Sequence, residues 1–261
     1  MTLSSPATAP SLSRRVTAEF AGTAALLAVI VGSGIRADSL SQDLGVRLLA
    51  NAGASAIGLG LLITLLGPIS GAHFNPVVTL SEWWPNRREG GAAEVACYLG
   101  AQVAGAVAGA LLAEAMFGHT PGTLATERRS ETHLLIGEAV ATAGLVLVIQ
   151  GLRRIGRSSL APVAVAGYIG AAIWATSSGS FANPAATVGR AFSDSFTGIA
   201  PGSVGAFAAA QLLGMVLGMG LAALIWGQPR TGPSGPAPDP ASGQVPGPAS
   251  EPNAAPARRS R

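Results

Sequence analysis

Two short stretches carry the side chains best suited to chemistry. One is Ser70-Gly-Ala-His-Phe-Asn-Pro-Val-Val-Thr and the other is Phe181-Ala-Asn-Pro-Ala-Ala-Thr. Asn is a strong N-cap and Pro is favoured at the first helical position, so Asn75-Pro76 and Asn183-Pro184 each mark the start of a helix. The first must stop before Pro85, because the residue preceding a proline disfavours the helical region. The second ends near Phe192. An Asn amide beside a helix N-terminus offers donors within a region of partial positive charge, which suits an oxygen acceptor and opposes a cation. Both stretches carry Asn and no acid, and nothing in the pattern points to making or breaking a covalent bond. No catalytic residue, enzyme activity, cofactor or metal is therefore expected. The single cysteine, Cys97, excludes an intramolecular disulfide framework and a cysteine zinc site; it reads as a small buried hydrophobe.

The elements that must position these stretches are membrane spans. Charged residues make up 11% of the chain, against about 25% in a soluble domain, and mean hydropathy is +0.44. This excludes a soluble globular enzyme, and it excludes disorder of the main body. The net charge is +3, and all 16 basic residues are Arg in short clusters between apolar runs. That pattern belongs to loops of a polytopic membrane protein rather than to a nucleic-acid-binding stripe. A helix needs about 20 apolar residues to cross the hydrocarbon. Six segments qualify: Val16–Ile35, Leu48–Leu66, Ala92–Phe117, Leu134–Leu152, Ser159–Ser177 and Ser203–Trp226. With the N-terminus inside, the inner side holds eleven Arg and the outer side five, which places both termini in the cytoplasm of a multi-pass cell-membrane protein. Residues 1–13 and 227–261 read as disordered tails around a membrane-spanning domain at 14–226.

The chain also repeats itself. The run from Glu19 to Ile30 matches that from Glu138 to Ile149, 119 positions on. Asn75-Pro76 matches Asn183-Pro184 at 108, and the run from Gln102 matches that from Gln211 at 109. Each half (about 14–117 and 134–226) holds three spans, an odd number, so the second half sits upside down relative to the first. Inverted repeats place their functional site near the midplane, where half-helices meet. The expected fold is thus an all-α membrane protein, six transmembrane helices plus two re-entrant half-helices in an inverted 3+3 repeat. Glu19 and Glu138 read as structural support for the loop of their own half, with a proton relay as the alternative. His73 reads as a packing and hydrogen-bonding residue, with a pH-sensitive gate as the alternative. His119, His133 and the run Glu127/Arg128/Arg129/Glu131 read as solvent-facing loop residues.

At these residues the chain resembles the aquaporin family, the major intrinsic proteins that include glycerol facilitators. The resemblance covers about residues 14–226. It implies two pore signatures, Asn75-Pro76-Val77, where Val77 replaces the usual Ala, and Asn183-Pro184-Ala185. It also implies a homotetramer in a lipid bilayer, and a passive channel for water and small neutral solutes such as glycerol. The residue after the second signature is normally an Arg at the outer constriction; here it is Ala186. Carried over by spacing, the constriction is Ser55, Ala171, Ser180 and Ala186, all small, which implies a wide opening. Arg190, one turn beyond Ala186, is placed in the outer vestibule, with pairing to Asp194 or anchoring of the loop as alternatives. The stretches Tyr168–Trp174 and Phe192–Pro201 are more narrowly similar to a bacterial subgroup implicated in handling arsenite, so undissociated metalloid acids form the alternative solute class. An ion-coupled secondary transporter is the rival mechanism.

Overall fold

The computed structural model describes residues 10–227, all of them helix, turn or loop. Six helical segments are long and apolar enough to cross a membrane: α1 (Leu12–Leu40), α2 (Leu44–Ser70), α4 (Ala92–Met116), α5 (Thr132–Arg154), α6 (Ala161–Ala175) together with the 3₁₀ turn Ser158–Leu160 before it, and α8 (Pro201–Trp226). Two short helices, α3 (Pro76–Trp83) and α7 (Pro184–Arg190), lie between them. An even number of spans puts both ends of the described chain on one side, called here the terminal side, opposite the far side. α1 begins inside the tail expected at 1–13. The Ser11 side chain accepts from the Arg14 backbone N–H and starts the helix at Leu12. Residues 1–9, and all of the 227–261 tail except Gly227, lie outside the described residues. α1 and α2 overrun their apolar windows, and both begin at a capping side chain; Asp43 Oδ1 accepts from Val46 N at 2.9 Å and starts α2 four residues early.

Small residues set the packing. α1 packs on α2 and α4, α5 on α6 and α8, and α2 meets α6 across the halves. On α4, Gly105 and Gly109 lie directly against the backbone carbonyls of Phe20 and Ala24. On α8, Gly214 and Gly218 lie against those of Ala139 and Ala143. Glycines four apart let two backbones touch, and lipid offers no hydrophobic drive to replace that contact. The two halves also exchange volume. Phe74, fully buried, fills the space left by Gly22, whereas the equivalent pair is Ala182 beside Ala141.

The half-helices begin as the Asn-Pro pairs require. Asn75 Oδ1 accepts from Val77 N at 3.0 Å, and Asn183 Oδ1 accepts from Ala185 N and Ala186 N at 3.0 and 3.1 Å. α3 gives way at Trp84 to a 3₁₀ turn holding Pro85, and α7 stops at Arg190. The loops leading into them share one left-handed trace: φ is +88°, +50° and +51° at Gly71, Ala72 and Phe74, and +74°, +47° and +46° at Gly179, Ser180 and Ala182. Four of these six residues carry a Cβ, a conformation that costs about 1–3 kcal/mol each.

The glycine contacts lead to a stability prediction. Gly109→Leu drives a side chain into the Ala24 backbone and should destabilise the protein by about 1–3 kcal/mol or more. Gly100→Leu, exposed on the same helix with open space beside it, should cost less than about 0.5 kcal/mol. Thermal unfolding in detergent, followed by size-exclusion chromatography, compares them; equal losses would contradict the packing account.

Candidate functional site

Each half-helix is held by a buried carboxylate. Glu19 accepts from Ser70 Oγ (2.7 Å), His73 N (3.0 Å), Phe74 N (2.7 Å) and Gln102 Nε2 (2.8 Å). Glu138 accepts from Phe181 N and Ala182 N (both 2.9 Å) and from Gln211 Nε2 (2.6 Å). Both are fully buried. The glutamines continue the chain, donating to Thr79 Oγ1 and Thr187 Oγ1 at 2.9 Å. The strained loops thus have their N–H groups drawn to one side by a carboxylate.

The asparagines join the halves. Asn75 Nδ2 donates to the Ala182 carbonyl and Asn183 Nδ2 to the Phe74 carbonyl, each at 2.8 Å. The sequence offered both amides as donors to an oxygen acceptor and carried no signal for this reciprocal bond. It occupies one hydrogen of each amide and leaves the other for a passing acceptor. Pro76 and Pro184 occupy the first helical positions. Val77 packs with Val146 and Met215, and Ala185 with the cluster around Leu26 and Leu27, so the third signature residues build core.

Between the halves runs a cavity of about 990 Å³, from Glu82 and Arg153 on the terminal side, past Asn75 and Asn183, to Arg129 and Phe196 on the far side. One wall is apolar, including Leu59, Ile63, Leu145, Ile149, Val165 and Ile169. The other carries the loop backbone, His73 and the two Asn. His73 lies near the terminal end, its Nδ1 3.1 Å from Thr79 Oγ1 and its ring edge-on to Tyr98. The equivalent pair on the far side is Phe181 with Phe207.

The structure brings three of the four residues expected at the constriction to the cavity. Ser55, Ser180 and Ala186 line the cavity, but Ala171 does not. Ala171 is exposed on the opposite face of α6, and Ile169 and Ile173 face the lumen. Gapless spacing gave Ala171 the wrong face of α6, because the loop between α6 and Asn183 has its own length. The Ser55 and Ser180 hydroxyls have no hydrogen-bond partner within the described chain.

Arg190 also lines the cavity, and it is buried rather than held out in a wet vestibule. Its Nε donates to the Thr197 carbonyl at 2.5 Å, and its guanidinium stacks 3.3 Å from the Phe181 ring centre. Asp194 turns elsewhere and accepts from Thr126 N and Oγ1. Arg129, expected to face solvent, reaches the same ring at 5.5 Å and lines the cavity, while Arg128 stays exposed. Burial pushes the Arg129 guanidinium down from its ordinary value, and Glu127, Glu138 and Glu131 oppose that shift. No periodicity distinguishes the two adjacent arginines in a loop, so the sequence carried no signal for this. Two smaller expectations also change. Cys97 is exposed on α4. His119 Nδ1 lies 2.9 Å from Glu114 Oε2; Glu114 is a buried carboxylate that also accepts from Ser193 Oγ and tethers the segment after α7.

The carboxylates lead to a prediction. Glu138→Ala leaves the N–H groups of Phe181 and Ala182 buried without an acceptor, at about 1–3 kcal/mol each. Melting temperature and solute flux should fall together, with Glu138→Gln intermediate because its amide oxygen still accepts. Wild-type stability in Glu138→Ala would show that the loop does not depend on the carboxylate.

The chain matches the family model described as major intrinsic protein over residues 6–177. It is 44% identical to aquaglyceroporin AqpS of Rhizobium meliloti over 210 residues, covering 80% of this chain and 89% of that protein. It is 32% identical to the probable aquaporin AqpM of Archaeoglobus fulgidus, covering 72% and 87% respectively. Among solved structures, the aquaglyceroporin from Plasmodium falciparum is similar with a TM-score of 0.63 at 22% identity, covering 81% of this chain and 95% of that one.

Proposed function

The chain belongs to the major intrinsic protein family, and from that premise we propose that its lumen passes hydroxylated neutral solutes of glycerol size passively, without coupling to ions and without covalent chemistry. The protein is a multi-pass membrane channel for water and small neutral solutes such as glycerol. The observation that carries the finer reading is the two-sided lumen, an apolar wall opposite a polar strip centred on Asn75 and Asn183. A polyol has the matching character, with a C–H face for the wall and hydroxyls for the amides and loop carbonyls. Ser55, Ser180 and Ala186 add little bulk where they line the cavity beside Phe181 and Arg190, which supports passage of a solute larger than water.

Undissociated arsenous acid, a small neutral trihydroxy compound, is the second reading; it fits the same donors, and the resemblance of the stretches Tyr168–Trp174 and Phe192–Pro201 to a bacterial subgroup implicated in handling arsenite favours it. Both termini are assigned to the cytoplasm from the Arg bias, which remains eight to five without the three terminal arginines. Assembly as a homotetramer in the cell membrane is inferred from the family.

Stopped-flow light scattering of proteoliposomes with water, glycerol, urea and arsenous acid tests the solute reading. Water and glycerol permeability should both exceed those of empty vesicles. Water flux with no flux of any larger neutral solute would contradict the wide lumen. The central pair gives a further prediction. Asn183→Asp removes the donor to Phe74 and sets a carboxylate against its carbonyl, which should cost about 1–3 kcal/mol. It should also alter glycerol flux and admit cations. Unchanged glycerol and ion permeability in a well-inserted variant would remove the central role of the pair.

A further inference from the structure

We propose that Arg129, a loop residue between the two halves, is a specificity-determining residue of this channel: with Arg190 it sets a two-guanidinium cation barrier over Phe181 at the far end of the lumen, where Ala186 carries no charge. The inference rests on the channel reading and adds to it the residue that excludes ions.

The geometry is built rather than incidental. The segment around Arg129 is fastened to the one after α7 along its length. Ala125 N donates to the Ala191 carbonyl at 3.0 Å, Ala200 N to the Glu127 carbonyl at 2.6 Å, and Thr126 to Asp194. Arg129 is held twice, its backbone N–H on Ser203 Oγ at 3.0 Å and its Nε on the Gly198 carbonyl at 2.9 Å. Gly198 is packed so closely on the Ser193 carbonyl and Ala125 that a side chain there would collide. These contacts fix the guanidinium over the ring that Arg190 already covers. Among the described residues, neither arginine forms an ion pair with a carboxylate. Their positive charge is therefore not cancelled by a bonded partner, and both line the cavity. Two cations lining a low-dielectric passage repel a third strongly, while a hydroxyl oxygen meets hydrogen-bond donors. Arginine suits this role because its charge persists on burial and its planar group stacks on an aromatic face.

The test uses the full chain in proteoliposomes and reads the ratio of sodium to glycerol permeability. Arg129→Gln should raise that ratio about tenfold, and Arg129→Lys should keep it near wild type at pH 7. Lysine also tests the charge without relying on the glutamine variant. Around position 129 lie Arg190 on α7, Glu138 on α5, and Glu127 and Glu131 on its own loop. Raising the pH to about 11 neutralises most of a lysine there but not an arginine. The ratio should then climb in Arg129→Lys and stay flat in wild type. An unchanged ratio in Arg129→Gln, or a pH-independent Arg129→Lys, overturns the inference while glycerol flux persists. Absent glycerol flux in wild type overturns the channel reading itself.

Discussion

The structure depends on two carboxylates buried at membrane depth. Backbone that is neither helix nor strand survives there only if its polar groups are satisfied by protein or by water in a cavity. Glu19 and Glu138 meet half of that demand, each accepting two successive N–H groups of a loop and one glutamine amide. Hydrogen bonds to a charged acceptor contribute about 1.5–3 kcal/mol each, enough to hold left-handed residues that cost a similar amount. With the N–H groups turned toward the acid, the loops lie along the lumen. Two of their carbonyls, those of Phe74 and Ala182, tie the halves together through Asn183 and Asn75. Stability and permeation are thus two results of one hydrogen-bond arrangement.

The inverted repeat makes the centre symmetric and leaves the ends free to differ. At the terminal end His73 lies beside Tyr98, and the Glu82–Arg153 ion pair stands at the mouth. At the far end the equivalent rings are Phe181 and Phe207, and two arginines cover the first. The third buried carboxylate, Glu114, serves only the far side, where it holds Ser193 and His119. The half-helices must agree with each other where they touch, and the mouths need agree only with what enters them.

Much of this was legible in the sequence because it follows from periodicity and local chemistry. Apolar runs located all six spans, and the Asn-Pro pairs located both half-helix starts. The offset of 109 between Gln102 and Gln211 also relates Gly105 to Gly214 and Gly109 to Gly218, the residues on which the halves pack. What could not be read was set by loops. Ala171 was misplaced because no local rule fixes how many residues join α6 to Asn183. The exposed Cys97 sits in an apolar run with little amphipathic contrast, so its face was hidden. Arg128 and Arg129 are chemically identical neighbours, and only hydrogen bonds to Gly198 and Ser203, some 70 positions away, select which one enters the lumen. The reciprocal asparagine bond likewise spans more than 100 residues.

The central claim is that solute crosses by diffusion through a fixed path lined by the asparagine pair. The most direct measurement is net glycerol movement in proteoliposomes with sodium or proton gradients imposed in either direction. Facilitated flux should follow the glycerol gradient alone and stop when that gradient is gone. Glycerol accumulating against its own gradient when an ion gradient is applied would contradict it and would make the protein a coupled transporter.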